Sequence, residues 1–250
     1  MNIAENYAGG DSHYQASDAL ILGVDCSGAA ASVALCCGAT QLAGTSHAAR
    51  YGHGSRLMGM IEAVLVKAET TLQDVGYIAC GTGPGSFTGI RTALAAAKGL
   101  ALGLEIAAVG LDSLSALSSR PLSDGNAFRL RLMDSRRGTL FSRLDDAADR
   151  PLTGICDLAP EALPQWLQSA MTAQGLKSAP LSVLGHDSTA VTALLSRAGM
   201  AASDAGHAEP DAGQHCRRLA RLLAEDAEAW RRLPPEALYL SAPLLGPARQ

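Results

Sequence analysis

The sequence predicts an α/β protein built from two similar halves, each with the element order β-β-β-α-β-α. Hydrophobic residues make up 48% of the 250 residues but aromatic residues only 4%, so the core must be mainly aliphatic. An aliphatic core suits helices packed on a sheet. In addition, residues 19–25 form a continuous apolar run that ends in aspartate, which is typical of a buried strand, and residues 129–134 form a second predicted strand that ends in aspartate.

Three short apolar runs open the ordered part of the chain, at residues 19–25, 31–36 and 41–44. Glycines stand between them where turns are needed, so these runs predict an antiparallel meander. A helix is expected over residues 55–68, because its apolar residues recur at spacings of three and four and form one continuous stripe.

A further strand at residues 77–80 leads into a glycine-rich loop, residues 81–89. A helix rich in alanine and glycine is expected over residues 89–102, followed by a strand at residues 107–110. Asp112 can cap another helix directly after that strand. These elements complete the first predicted half.

The second half repeats the order more faintly. Strands are expected at residues 129–134, 139–142 and 181–185, and helices at residues 161–169 and 212–230. Simple Rossmann-type folds alternate strand and helix. A three-strand meander followed by βαβα is instead the pattern of actin and the sugar kinases, so we predict duplicated actin-like lobes of the ribonuclease H-like (ASKHA) class.

The predicted domain organisation follows from these elements. Residues 1–17 are polar and without periodicity, and they are expected to form a disordered leader. Residues 18–118 form the predicted N-terminal lobe, residues 119–241 the C-terminal lobe, and residues 242–250 a tail.

Charge and cysteine content narrow the function classes. The formal net charge is −4 and no run of five basic residues occurs, so the chain is not expected to bind nucleic acid strongly by itself. The six cysteines contain no CxxC pair, which favours buried thiols in a reducing compartment. No secretory signal and no apolar run long enough for a membrane span is visible, so a cytoplasmic location is expected.

The sequence contains no recognisable catalytic or metal-binding motif. It has no HExxH or HxxxH pattern, no GxSxG nucleophile elbow and no GK[ST] phosphate loop. We therefore predict no catalytic residue and no metal ligand. His53, near the start of the helix over residues 55–68, is interpreted as a polar contact or an interface residue.

The glycine-rich loop is the strongest local feature. Gly83, Gly85 and Gly89 allow positive φ and close backbone approach, and Ser86 or Thr88 can cap the following helix. Free N–H groups at that helix end could also hold an anion. On residue chemistry alone, a structural turn and an anion-binding site are about equally well supported.

Asp25 and Asp134 each end a predicted strand, which is where actin-like ATPases hold a nucleotide and its metal. The alternative is an aspartate that forms a turn or caps a helix. Two arginines follow Asp134, where a phosphate loop needs small residues, so the turn interpretation is favoured there. Nucleotide contact stays open for Asp25 alone.

A docking surface is predicted on the helix over residues 55–68. Besides its core stripe, the helix carries Met58 and Val66 on another face, and methionine adapts well to contact surfaces. Only 18% of the residues are charged, which also favours a covered surface. The predicted interface residues are His53, Leu57, Met58, Met60 and Ile61.

One motif resembles a known family. Residues 80–91 read CGTGPGSFTGIR, which closely resembles the GPGSFTGLR signature of the TsaB (YeaZ) family and includes Arg91. Weaker likeness occurs at residues 22–25, at residues 133–138 and at residues 239–240. The resemblance covers about residues 20–241 and is thin from residue 145 to residue 230.

The resemblance implies a two-lobed actin-like fold and a non-catalytic scaffold that pairs with a TsaD-type paralogue, joined by a TsaE-type ATPase. TsaD transfers a threonylcarbamoyl group to the adenosine next to the anticodon, so tRNA would be reached only through the complex. ATP or ADP at the interface with the partner and a homodimer of the isolated chain are further arrangements that it allows. Two alternatives stay open, an independent actin-like ATPase and a glycoprotease-like peptidase.

Overall fold

The structure is a computed structural model that describes residues 19–48, 53–117, 126–176 and 179–240, without the side chains of residues 53–55. The predicted leader and tail therefore lie outside the described residues. Within the described part of the chain, no helix combines the length and the apolar character that crossing a membrane requires.

The chain divides into two compact units, and the division differs from the expected lobe boundary. The first unit comprises Met1–Ser119 together with Ala208–Ala237, and the second comprises Arg120–His207 together with Leu238–Gln250. Residues 208–237 were expected in the C-terminal lobe. They belong to the first unit because the helix that they contain packs against the first sheet.

The first unit contains a five-stranded mixed sheet. Its order is β3-β2-β1-β4-β5, with the first three strands antiparallel and β1, β4 and β5 parallel. The strands are β1 Leu20–Asp25, β2 Ala30–Cys37, β3 Thr40–Ala48, β4 Tyr77–Gly81 and β5 Ala107–Leu111. The predicted meander and the two parallel strands are therefore present.

Helices cover both faces of this sheet. Helix α1 (His53–Lys67) and helix α2 (Phe87–Leu104) pack on one face through buried side chains such as Leu57 and Ile90. The last helix, Ala212–Glu225, packs on the opposite face through Leu219 and other apolar side chains. Strands β1, β2 and β4 are consequently buried on both sides, which explains why they are largely apolar, whereas the edge strand β3 is mostly exposed.

The second unit repeats the topology with a sheet of order β10-β9-β6-β7-β8. Its strands are β6 Phe128–Asp134, β7 Leu140–Asp146, β8 Cys156–Leu158, β9 Leu181–Gly185 and β10 Ala202–Gly206, and its helices are α3 Leu163–Ala173 and α4 Ser188–Arg197. The last helix of the chain is thus α5. The fold is actin-like α/β with duplicated lobes, as predicted.

Several elements differ from the sequence prediction. The helix expected after Asp112 is a single 3-10 turn, Ser113–Ala116, which Asp112 caps by accepting a hydrogen bond from the amide of Ser115. Helix α5 ends at Glu225 rather than at residue 230. Strands β8 and β10 and helix α4 had no counterpart in the prediction. The two strands are short and lack a clear pattern, whereas α4 carries Val191 and Leu195 at a helical spacing that could have indicated it.

Strands β6 and β7 carry buried charges on one face of the second sheet. Arg131 Nε lies 2.6 Å from Asp145 Oδ2, and Arg143 Nε lies 2.6 Å from Asp145 Oδ1. The neighbouring residues Leu130 and Leu144 face the apolar core of this unit. The alternation of arginine and leucine therefore places one side of the sheet in the core and the other in an ion-pair network.

Candidate functional site

The glycine-rich loop lies directly on the turn between β1 and β2. The amide of Ser86 donates a 2.7 Å hydrogen bond to the carbonyl oxygen of Ser27. A Cβ atom at Gly85, whose φ is +148°, would lie 2.3 Å from the same oxygen, and one at Gly89 would lie 1.8 Å from the carbonyl oxygen of Cys26. Only glycine permits this approach of two backbone segments.

Internal hydrogen bonds engage the N–H groups at the start of the loop. The amide of Thr82 donates to the carbonyl of Leu111 at 2.9 Å, and the amide of Gly83 donates to Ser113 Oγ at 3.1 Å. Ser86 caps α2 by accepting a hydrogen bond from the amide of Gly89. These bonds support a structural role for the start of the loop, and the anion site at the N-terminal amides of α2 stays a prediction.

We expect Gly89→Ala to lower the free energy of unfolding by about 2 kcal/mol, because its methyl group would overlap the backbone of Cys26. The matched control is Gly99→Ala in the same helix, where a Cβ atom meets no other atom within 4 Å. Alanine should stabilise the helix there by about 0.5–1 kcal/mol. Urea unfolding monitored by circular dichroism measures both, and equal stability of the two variants would contradict the packing argument.

Asp25 ends β1 and is fully buried. Its Oδ1 accepts hydrogen bonds from the amide and the hydroxyl of Ser27, both at 2.7 Å. Its Oδ2 lies 2.7 Å from His215 Nε2 on α5. A Cβ atom at Gly81 would lie 1.9 Å from the same carboxylate oxygen, so this glycine makes room for Asp25.

His215 is the partner of Asp25 that sequence reasoning missed. The imidazole is fully buried, and its Nδ1 has no hydrogen-bond partner among the described residues. This favours the tautomer with the hydrogen on Nε2, which donates to Asp25, because an unpaired N–H group at Nδ1 would be costly to bury. The pair attaches α5 to the end of β1.

The turn after β1 does not fit a nucleotide phosphate. The amide of Ala29 donates a 3.0 Å hydrogen bond to Glu209 Oε2, and a Cβ atom at Gly28 would lie 2.4 Å from the same oxygen. A phosphate at this turn would therefore meet a carboxylate of the protein itself, which repels it. Together with the engaged carboxylate of Asp25, this geometry favours the turn interpretation of that residue.

The thiols nearest to Asp25 are poorly suited to nucleophilic chemistry. Burial, and to a lesser extent the charge of Asp25, raises the pKa of Cys26 to about 12. The same causes, partly opposed by Lys98, raise the pKa of Cys80 to about 12. Both thiols are therefore protonated near neutral pH, and a thiol is a weak nucleophile compared with a thiolate.

Among the residues that the structure describes, no group of three or more histidine, cysteine, aspartate or glutamate side chains could hold a metal ion. Ser86 Oγ accepts the hydrogen bond from the amide of Gly89 that caps α2. The geometry around the signature loop is thus that of a packed turn.

The solvent-facing side of α1 and α2 carries several large apolar side chains, and the charged residues Glu62 on α1 and Lys98 on α2 are also exposed there. Met58 and Val66 on α1 are 49% and 71% exposed, and Leu102 on α2 is 67% exposed. Gly59 on α1 and Gly99 on α2 leave open space where a Cβ atom would stand. We refer to the three apolar residues and these two glycines as the outer face. Exposed large apolar side chains of this kind are unusual on the surface of a monomeric protein when they form a continuous patch.

A family model described as "TsaD: tRNA N6-adenosine threonylcarbamoyltransferase" matches residues 46–203, which is more than half of the chain. Similar curated proteins carry the name "tRNA threonylcarbamoyladenosine biosynthesis protein TsaB". The Escherichia coli protein is 36% identical over 90 residues, which cover 36% of this chain and 39% of that protein. The chain belongs to the TsaB (YeaZ) family.

A second TsaB relative matches over a longer segment. The Bacillus subtilis protein is 28% identical over 172 residues, covering 68% of this chain and 72% of the relative. The E. coli match, in contrast, spans well under half the length of the relative. Local identity is therefore strongest in a restricted part of the TsaB sequence.

Two solved structures from Pseudomonas aeruginosa share the TsaB fold. One, titled "YeaZ from Pseudomonas aeruginosa", has a TM-score of 0.66 at 24% identity and covers 89% of this chain and 100% of its own. The other is described as an uncharacterized protein with similarity to peptidase YEAZ and has a TM-score of 0.69 at 22% identity, with the same coverage. Because both sequence identities are below 25%, these similarities show a shared fold only.

The interface residues predicted for this TsaB protein separate into two groups. Met58 is exposed and Met60 half-buried, whereas Leu57 and Ile61 are each 1% exposed and belong to the core beneath α1. These two residues cannot line a docking surface, because their side chains pack on the sheet. The side chain of His53 lies outside the described residues.

The two remaining residues of the predicted loop site lie near the start of α2. Thr88 is exposed in the first turn of α2, and Arg91 is exposed with its guanidinium 3.9 Å from the centre of the Phe87 ring. Sequence reasoning missed Leu102, although its position fourteen residues after Thr88 continues the exposed stripe of α2. The helical period of that stripe was a signal that could have found it.

Proposed function

We propose that this TsaB protein is a non-catalytic subunit of a tRNA threonylcarbamoyladenosine synthase and that it pairs with a TsaD-type paralogue through the outer face. The exposed apolar surface of α1 and α2 carries the proposal. The curated relatives named for tRNA threonylcarbamoyladenosine biosynthesis support the pathway. In this complex the TsaD-type subunit transfers the threonylcarbamoyl group to the adenosine adjacent to the anticodon.

The outer face has the chemistry of a helix-packing interface. Met58, Val66 and Leu102 supply apolar area that is removed from water on pairing. Gly59 and Gly99 lack side chains, so helices of a partner can approach the backbone closely there. Arg91 and Lys98 are exposed on α2 and provide polar surroundings for an apolar centre, which is the usual anatomy of an interface.

A scaffold role rather than a catalytic one is supported by the region around the signature loop. The raised pKa values of Cys26 and Cys80 disfavour a thiolate nucleophile. Glu209 at the turn after β1 disfavours the binding of a nucleotide phosphate by this chain alone. The net charge of −4 gives no basis for strong contact with tRNA by the chain alone. A TsaE-type ATPase, and a nucleotide at the boundary with the partner, belong to the same proposal.

Reconstitution tests the function directly. Unmodified tRNA is incubated with threonine, bicarbonate, ATP, the enzyme that makes threonylcarbamoyl adenylate, and the TsaD-type and TsaE-type proteins, with and without this chain. Modified adenosine is then quantified by mass spectrometry. We expect modification to depend on the chain, and no modification when the chain replaces the TsaD-type protein. An equal yield without the chain would refute the proposal.

A further inference from the structure

A cavity of about 230 Å³ lies in the first unit, where β5 ends. Leu111 of β5, Leu222 of α5 and Leu233 form an apolar part of its wall. Arg218 and Arg232 also line the cavity and provide cationic groups. The carboxyl end of parallel strands is where α/β sheets commonly bind ligands, and β5 is parallel to β4.

The charged residues that line this cavity differ in whether their side chains have hydrogen-bond or ion-pair partners. Arg232 is paired with Asp226 at 2.7 Å. Asp112 accepts hydrogen bonds from the amide of Ser115 at 2.9 Å and from its hydroxyl at 2.6 Å. The half-buried guanidinium of Arg218 makes no hydrogen bond or ion pair with any residue that the structure describes.

The surroundings of Arg218 favour an anionic ligand in this cavity. A guanidinium beside apolar walls loses part of its hydration, and a counter-charge that accepts its hydrogen bonds compensates for that loss. Phosphate and carboxylate groups match the planar guanidinium because they accept two parallel hydrogen bonds. The apolar wall offers contact to a short hydrocarbon group attached to such an oxyanion.

We propose that this cavity binds a small molecule with an oxyanion group, a phosphate or a carboxylate, which Arg218 holds. The size of the cavity limits the ligand to a compact molecule, since pockets for larger ligands usually exceed about 300 Å³. Asp112 borders the same cavity and favours a ligand whose oxyanion lies away from it, or one that also carries an ammonium group. This site is separate from the outer face.

Titration of the isolated chain, followed by amide chemical shifts, tests the site. Inorganic phosphate, propionate and alanine are the three probes, and they distinguish a phosphate, a carboxylate and a zwitterion. Each probe is raised to about 20 mM, which covers dissociation constants in the millimolar range. We expect saturable shifts of the amides of Gly110, Leu111 and Ser115 with at least one probe.

Two arginine variants distinguish specific binding at Arg218 from nonspecific attraction of the probe to surface charge. Arg218→Gln should weaken binding by about tenfold or more, because it removes a charge-assisted hydrogen bond. Arg221→Gln makes the same charge change on an exposed position of α5 and should leave binding unchanged. Thermal unfolding of both variants checks that the fold is retained.

Two results would overturn the proposal, namely no saturable shift with any probe, or equal weakening by Arg218→Gln and Arg221→Gln. Neither result bears on pairing with a TsaD-type partner, because the titration uses this chain alone. Conversely, a reconstitution in which modification does not depend on this chain would not contradict the proposed cavity site.

Discussion

The double variant Met58→Asp/Val66→Asp is expected to lose binding to the TsaD-type partner by about a thousandfold. Each aspartate would place a charge without a partner in the centre of the proposed interface, at a cost of about 2 kcal/mol or more for a central position. Both side chains are exposed in the isolated chain, so the variant should fold normally. Calorimetric or surface-based titration with the purified partner measures the loss.

Leu42→Asp is the matched control for this pair. Leu42 is 45% exposed on β3, similar to Met58, but it lies outside the outer face. Its replacement should leave the dissociation constant within about twofold, as expected for a residue that contributes nothing to the contact. Wild-type affinity of the double variant would exclude the outer face as the docking surface.

Leu57→Asp is unsuitable as a docking test. Leu57 is buried against the first sheet, and a charge there would be costly in the folded state. A lost interaction would then reflect unfolding rather than the interface. Exposure in the structure therefore selects the residues of α1 that can be tested.

The variant Asp25→Asn is expected to lower the free energy of unfolding by about 1–3 kcal/mol, the cost of leaving a buried donor without its acceptor. Asparagine can still accept a hydrogen bond from Ser27. Its NH₂ group, however, would lie where Asp25 Oδ2 receives His215, so His215 would lose its acceptor. Urea unfolding with fluorescence detection measures the difference.

Asp134→Asn provides the comparison, because Asp134 ends β6 in the position that Asp25 holds at the end of β1. Asp134 is exposed and accepts a hydrogen bond from the amide of Arg136, which asparagine can also accept. The change in stability should stay within about 0.5 kcal/mol. If Asp25→Asn were as mild as this control, the buried pair would not be what attaches α5 to β1.

Local sequence patterns sufficed for much of the fold. The meander of β1, β2 and β3, the helices α1 and α2, and the strands β4 and β5 follow from runs and periods of apolar residues. Elements with weak patterns were missed. Strand β10, with the sequence Ala-Ser-Asp-Ala-Gly, has neither an apolar run nor regular alternation of apolar and polar residues.

The family signature could be found from the sequence, but the role of its residues could not. The motif at residues 80–91 indicated TsaB, and its glycines allowed either a turn or an anion site. The choice depends on the carbonyl oxygens of Cys26 and Ser27, which lie under Gly89 and Gly85. Those contacts join segments about sixty residues apart, and no local pattern reports them.

The sequence by itself determined the aliphatic core, the order of most strands and helices in both lobes, and the membership in the TsaB family, because these depend on residues close together in the chain. Only the tertiary structure showed that α5 covers the first sheet, that His215 meets Asp25 across 190 positions, and that Leu57 is buried while Val66 is exposed. The physical reason is that burial and pairing are set by which surfaces the fold brings together, and helical periodicity alone allows more than one face to be buried.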